Sequence, residues 1–139
     1  MEKTYTTSLN LPSIDVALLI LRVGTAALML THGIPKLLML FGSGEITFAD
    51  PIGLGMETSL TLVVFAEVIC SILILLGLAI RLAAIPLIIN MLVVFFIVHV
   101  QDPLKVKELA LIYLLIFIVL LITGSGKYAL DHYFLKRKK

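Results

Sequence analysis

The chain has 139 residues, of which 60% are hydrophobic and 14% charged, with a net charge of +2. Soluble domains carry about 25% charged residues, so this composition excludes an ordinary soluble domain and points to one membrane-embedded domain over residues 1–139. The small positive balance has no aromatic–basic interleaving, which excludes a nucleic-acid partner. The lone cysteine, Cys70, excludes an intrachain disulfide and a CxxC dithiol.

A hydrocarbon core is crossed by about 20 mostly apolar residues per helix. Four segments meet that requirement, from about Ser13 to Phe41, Ser59 to Ile80, Leu82 to Val100 and Lys107 to Thr123. The expected fold is all-α: a membrane-spanning four-helix bundle with a kinked first helix and a short C-terminal interfacial segment. The first run is too long for a signal-peptide core, contains Arg22 and lacks a small-residue cleavage site, so it is expected to remain attached.

On the first span, Arg22, Thr25, Met29, His32 and Lys36 recur every three or four residues. At about 100° per residue they share one face, which should look into the bundle. The stretch LTHGIPK, Leu30 to Lys36, places two ionisable groups beside Gly33 and Pro35. Pro35 removes a backbone donor and crowds the carbonyl of Thr31. The expectation is a bend that turns His32 and Lys36 into a polar mouth and frees Thr31 within it. The competing reading makes His32 and Lys36 interfacial anchors of an ordinary span.

The connection from Gly42 to Thr58 holds five of the loop-forming glycines and prolines, three acidic residues (Glu45, Asp50 and Glu57), and no lysine or arginine. On the second span, Glu67, Cys70, Ser71 and Gly77 form a small or polar face that suits close helix approach. Arg22 and Glu67 both sit near mid-depth, and a buried Arg22–Glu67 ion pair would satisfy both charges. The alternative leaves Arg22 snorkelling inward alone. On the third span Asn90 is central and His99 near the end. Nine residues apart, they are expected on opposite faces, with Asn90 bonding another helix or a second copy. At 1.5 Å per residue, His32, His99 and Glu108 fall at one level, with Lys36 just beyond. Pro103 suits a turn into the fourth span.

Gly124 and Gly126 should stop that span. Tyr128 to Phe134 then alternates apolar and polar groups and should lie along the interface, held by Lys136 to Lys139 and anionic headgroups. With Arg81 between the second and third spans, the positive-inside rule puts both termini in the cytoplasm, weakly opposed by Lys105 and Lys107.

These residues resemble the DoxX family of small four-helix membrane proteins. The likeness runs over nearly the whole chain: Arg22-Val-Gly24, His32-Gly33-x-x-Lys36, Pro51-Ile-Gly53-Leu-Gly55, Glu67, Gly77-Leu-x-x-Arg81, His99, Glu108-Leu-Ala-Leu and Gly124-x-Gly126-Lys-Tyr-x-Leu-Asp131. The resemblance implies a multi-pass protein of the bacterial inner membrane, linked to quinol- or thiol-associated redox work alongside soluble partners. It assigns no activity by itself, and the missing cysteine pair argues against a dithiol mechanism here.

Two functions follow. In the first, a quinone headgroup enters from the bilayer. Then His32, Lys36 or His99 bonds its carbonyl, and Glu108 or Glu67 handles a proton. In the second, the bundle is a non-enzymatic scaffold or homo-oligomer that recruits a soluble oxidoreductase. Haem held by His32 and His99 is disfavoured because Lys36 and Glu108 crowd the site. No compact ligand spacing supports a metal site. A proton or solute path is disfavoured by an inner half poor in polar groups.

Overall fold

The computed structural model describes residues 10–137. Helix α1 spans Leu11–Phe41, α2 Met56–Leu76, α3 Ile80–Val98 and α4 Leu104–Thr123, and each is long and apolar enough to cross a membrane. A short α5, Leu130–Lys136, follows. Lys136 and Arg137 of the basic tail are described, whereas Lys138 and Lys139 lie outside the described residues.

The spans alternate in direction, so the bundle has two ends. The N-terminus of α1, the α2–α3 turn and α5 share one, called here the terminal end. The other, the loop end, carries the connection at residues 42–55 and the α3–α4 turn. Large apolar side chains such as Leu28, Leu82, Phe96, Leu115 and Ile122 point outward. Ala26, Met29, Cys70, Ile74, Leu87, Phe117 and Leu120 fill the centre. Outward aliphatic belts over four spans define a multi-pass membrane protein in a lipid bilayer.

The α2–α3 turn is tighter than the hydropathy pattern suggests. Gly77 adopts φ 78°, and the Leu78 and Gly77 N–H groups donate to the carbonyls of Leu73 and Ile74. This left-handed glycine cap closes α2 four residues before the expected Ile80. Ala79, also left-handed at φ 46°, starts α3 at once. Gly124, with φ 78°, stops α4.

Helix α1 carries through Gly33 and Pro35 without interruption. Gly33 also marks a close approach. A Cβ there would lie 2.8 Å from Val68 Cγ2 and 3.0 Å from the backbone carbon of Glu67. The same helix pair meets again at the terminal end, where Arg22 packs against Gly77. These two points set the register of α1 on α2.

Two π-helical segments interrupt the spans, Phe65–Cys70 in α2 and Val94–Val98 in α3. A π turn takes one residue more than an α turn, and such turns concentrate at functional sites. The first contains Glu67, and the second ends immediately before His99.

Candidate functional site

Glu67 points inward and is buried. Lys36 Nζ donates to both of its carboxylate oxygens, at 2.7 and 2.6 Å. Asn90 Nδ2 donates to Oε1 at 2.9 Å. Three helices therefore meet on one acidic group. The Lys36 side chain is 28% exposed while that of Glu67 is 3% exposed, so the ammonium is the more open of the two and the carboxylate stays inside. A buried carboxylate persists only when such partners offset its lost hydration.

The expected Arg22–Glu67 pair does not form. Arg22 Nη1 donates to the Ser125 carbonyl at 3.1 Å, and Nη2 to the Tyr128 carbonyl at 2.6 Å. The reason is register. Glu67 is level with Gly33, which lies 11 residues from Arg22, about 16 Å along the helix. Arg22 instead ties the segment after α4 to the bundle. Nearby, the Lys127 N–H donates to Asp15 Oδ1 at 2.9 Å and the Asp131 N–H to the Gly77 carbonyl at 2.9 Å. Nor does Arg22 extend alone: its guanidinium ends on carbonyls of its own chain at the terminal end.

A cavity of about 200 Å³ opens beside the Lys36–Glu67 bridge, lined by Met29, His32, Lys36, Glu67, His99 and Tyr113 among others. A second, of about 230 Å³, lies on the other side of the bridge, toward the loop at Phe48 to Pro51. Lys36, Glu67, Val94 and His99 belong to both walls.

His32, Lys36 and His99 thus share one cavity. The His32 ring meets Tyr113 edge-on at 6.0 Å between centroids. Thr31 and Glu108 do not join them. Thr31 is exposed, and its hydroxyl donates to the Leu28 carbonyl of its own helix at 2.7 Å. Glu108 is exposed and off the cavity wall, which α4 builds from Val106, Lys107, Leu109, Ala110 and Tyr113. Sharing a depth does not give a shared face, and one residue along a helix is about 100° around it.

Asn90 and His99 were expected on opposite faces, yet both line the cavity toward the loop. The π segment between them accounts for this. The His99 N–H donates to the Val94 carbonyl, five residues back, at 3.0 Å. One extra residue in the turn rotates everything beyond it by about 100°. His99 Nδ1 then lies 2.6 Å from Asp102 Oδ2. A carboxylate on one ring nitrogen fixes the imidazole's orientation and directs the other nitrogen away from it.

Sequence reasoning missed Tyr113, Asp102 and the partnership of Asn90 with Glu67. For Asn90 a signal was present, since both polar groups are central in adjacent spans. Tyr113 looks like any aromatic in an apolar run. Asp102 sits in a polar turn where a carboxylate attracts no notice.

The site is a polar cavity within a four-span membrane bundle, built around one buried carboxylate with ammonium and amide partners. The family model described as DoxX matches residues 17–100. The chain belongs to the DoxX family. It is also 33% identical over 129 residues to a Haemophilus influenzae protein described as uncharacterized, covering 84% of this chain and 90% of that relative. No solved structure matches the chain.

Proposed function

We propose that this protein is a redox-linked subunit of the bacterial cytoplasmic membrane that holds a quinone headgroup in the cavity beside Lys36 and Glu67. The observation that carries the reading is Glu67 itself: a buried carboxylate bonded to Lys36 and Asn90, on a wall that also presents His99 and Tyr113. The donors fit a carbonyl-bearing ring. Lys36 and the imidazole of His99 offer N–H groups to carbonyl oxygens, and the apolar walls at Met29, Met91 and Val94 suit its faces. A bound quinone supplies an acceptor of two electrons and two protons. His99, held by Asp102, presents a proton at its free ring nitrogen, and Lys36 balances the charge of Glu67. The electrons come from a soluble partner, since Cys70 is buried and single.

The orientation that suits this reading places both termini in the cytoplasm. Arg81, Lys127, Lys136 and Arg137 gather at the terminal end, while residues 42–58 carry no lysine or arginine. Accessibility of single cysteines introduced at Ser43 and Ser125 to an impermeant reagent checks it.

The function is tested on protein in lipid nanodiscs titrated with a tail-less benzoquinone. Saturable stabilisation, lost in His99→Ala and Lys36→Met, is the expected result. Unchanged thermal stability across the titration rejects the reading and favours the scaffold that recruits a soluble oxidoreductase.

A further inference from the structure

A third void, of about 270 Å³, lies between α2 and α3 on the outer face of the bundle. Its rim is formed by Ile52, Leu62, Phe65 and Ile89, each about half exposed. Its floor is formed by Ser59, Ala66 and Asn90, all buried. The rim is apolar and faces the hydrocarbon. The groove adjoins the cavity toward the loop, with Pro51, Val63, Asn90 and Val93 lining both. That cavity in turn shares Lys36, Glu67, Val94 and His99 with the polar one.

The three voids therefore form a series. Its walls grade from aliphatic at the lipid face, through the Asn90 amide, to the Lys36–Glu67 bridge. Matching that gradient requires one molecule with a long apolar chain and a compact polar head. A free polar solute leaves the groove empty, and a simple hydrocarbon makes no use of the polar wall at Lys36, Glu67 and His99. We propose that the α2–α3 groove is a tail subsite, through which a single-chain, prenyl- or acyl-type amphiphile enters sideways from the bilayer and delivers its head to the Lys36–Glu67 cavity. This rests on the quinone reading only for the identity of the head.

The roof of the entrance is held in place. Pro51 and Ile52 line the groove and Phe48 and Ala49 the inner cavity. The intervening Asp50 accepts from the Leu54 and Gly55 N–H groups and from Ser59 Oγ, each at 2.9 Å. The carboxylate thereby binds the roof to the start of α2. Val93, half-buried where groove and inner cavity share a wall, is the position at which a larger side chain blocks the passage.

The test uses the full chain in nanodiscs with two diazirine probes, one on the tail of a prenylquinone and one on a plain fatty alcohol. Labelling is mapped by mass spectrometry. Concentration at Phe65, Pro86 and Ile89, over lipid-exposed Leu28 and Leu115, is expected for the quinone probe. Val93→Trp should weaken retention of that probe about tenfold, the loss expected when roughly two tail methylenes leave their groove, while tail-less benzoquinone binds as before. Groove labelling by the fatty alcohol alone keeps the tail subsite and removes the quinone head. Even labelling around the bundle by both probes, or labelling unaffected by Val93→Trp, overturns the tail subsite whatever benzoquinone does.

Discussion

Gly33 of α1 lies against the backbone of Glu67 on α2, so closely that a Cβ would come within 3.0 Å of the Glu67 carbonyl carbon. Lys36, one turn further on, is thereby brought to the Glu67 carboxylate. Gly33→Ala must push the two helices apart, because backbone cannot swing aside as a side-chain tip can. The expected cost is about 1–3 kcal/mol, the range for overpacked contacts. It should come with loss of the Lys36–Glu67 bond. Gly24→Ala is the internal control, since nothing lies within 4 Å of a Cβ there. It should be neutral or slightly stabilising, as alanine favours a helix over glycine by about 1 kcal/mol. Thermal midpoints of the two variants in one detergent decide the matter; equal midpoints would remove the close-approach argument.

The charge pair itself predicts a strongly non-additive cycle. Lys36→Met leaves a buried carboxylate with the Asn90 amide as its remaining partner, which should cost about 3–5 kcal/mol. Glu67→Gln leaves the partly exposed ammonium free to reach water, so it should cost less. Once Glu67 is neutral, adding Lys36→Met should cost little. The double variant should therefore lie near Glu67→Gln alone, with a coupling of about 2 kcal/mol or more. Additive losses would mean that the pair contributes nothing as a pair.

The four spans are legible in the sequence because lipid imposes uninterrupted apolar runs, and Gly124 ends the last of them where glycine is expected to. The inner part of the polar stripe on α1 is legible too, since Arg22, Thr25 and Met29 are all buried, whereas Lys36 is half-buried and His32 exposed. The partner of each charge is not. Pairing depends on helix register, and register here is set by Gly33 and Gly77, whose small size says that something approaches but not what. The π turns are also silent in sequence. Val94–Val98 reads as ordinary helix, and the missing rotation put His99 on the wrong face. Depth alone grouped Glu108 with the cavity residues, because it ignores azimuth around the helix, and Thr31 was drawn in by the expected effect of Pro35, whereas its hydroxyl bonds the Leu28 carbonyl.

Arg22 predicts a separation of the two ends. It holds the Ser125 and Tyr128 carbonyls, and each such charged hydrogen bond contributes about 1.5–3 kcal/mol. Arg22→Lys retains the charge but not the fork that serves two acceptors at once. Hydrogen exchange over residues 124–131 should accelerate, with the Asp131 amide, bonded to the Gly77 carbonyl, among the first affected. Amides around Glu67 should exchange as in the parent. A cycle between Arg22→Lys and Glu67→Gln should couple by less than about 0.5 kcal/mol. A large coupling would revive a direct pair between the two.

Asp50 predicts the behaviour of the loop end in acid. Its carboxylate lies below the usual range, first because the Gly55 N–H donates to it and then through the Ser59 hydroxyl; lost hydration opposes these, and the Leu54 N–H adds a smaller lowering. A carboxyl group whose folded value is depressed stabilises the fold above its unfolded value, about 3.9 for aspartate. That stabilisation falls away as the pH drops through the lower folded value. Protection of the Leu54 and Gly55 amides from exchange should therefore hold from neutral pH to about pH 4 and decline below it. Asp50→Asn keeps the shape but weakens the acceptor, so protection should be lower at neutral pH and the acid decline absent. Because Asp50 fastens the roof over the α2–α3 groove, the same variant should speed release of a tailed amphiphile without changing binding of a tail-less head. A parent protein whose Leu54 and Gly55 amides show no acid dependence would mean that the carboxylate does not hold that loop.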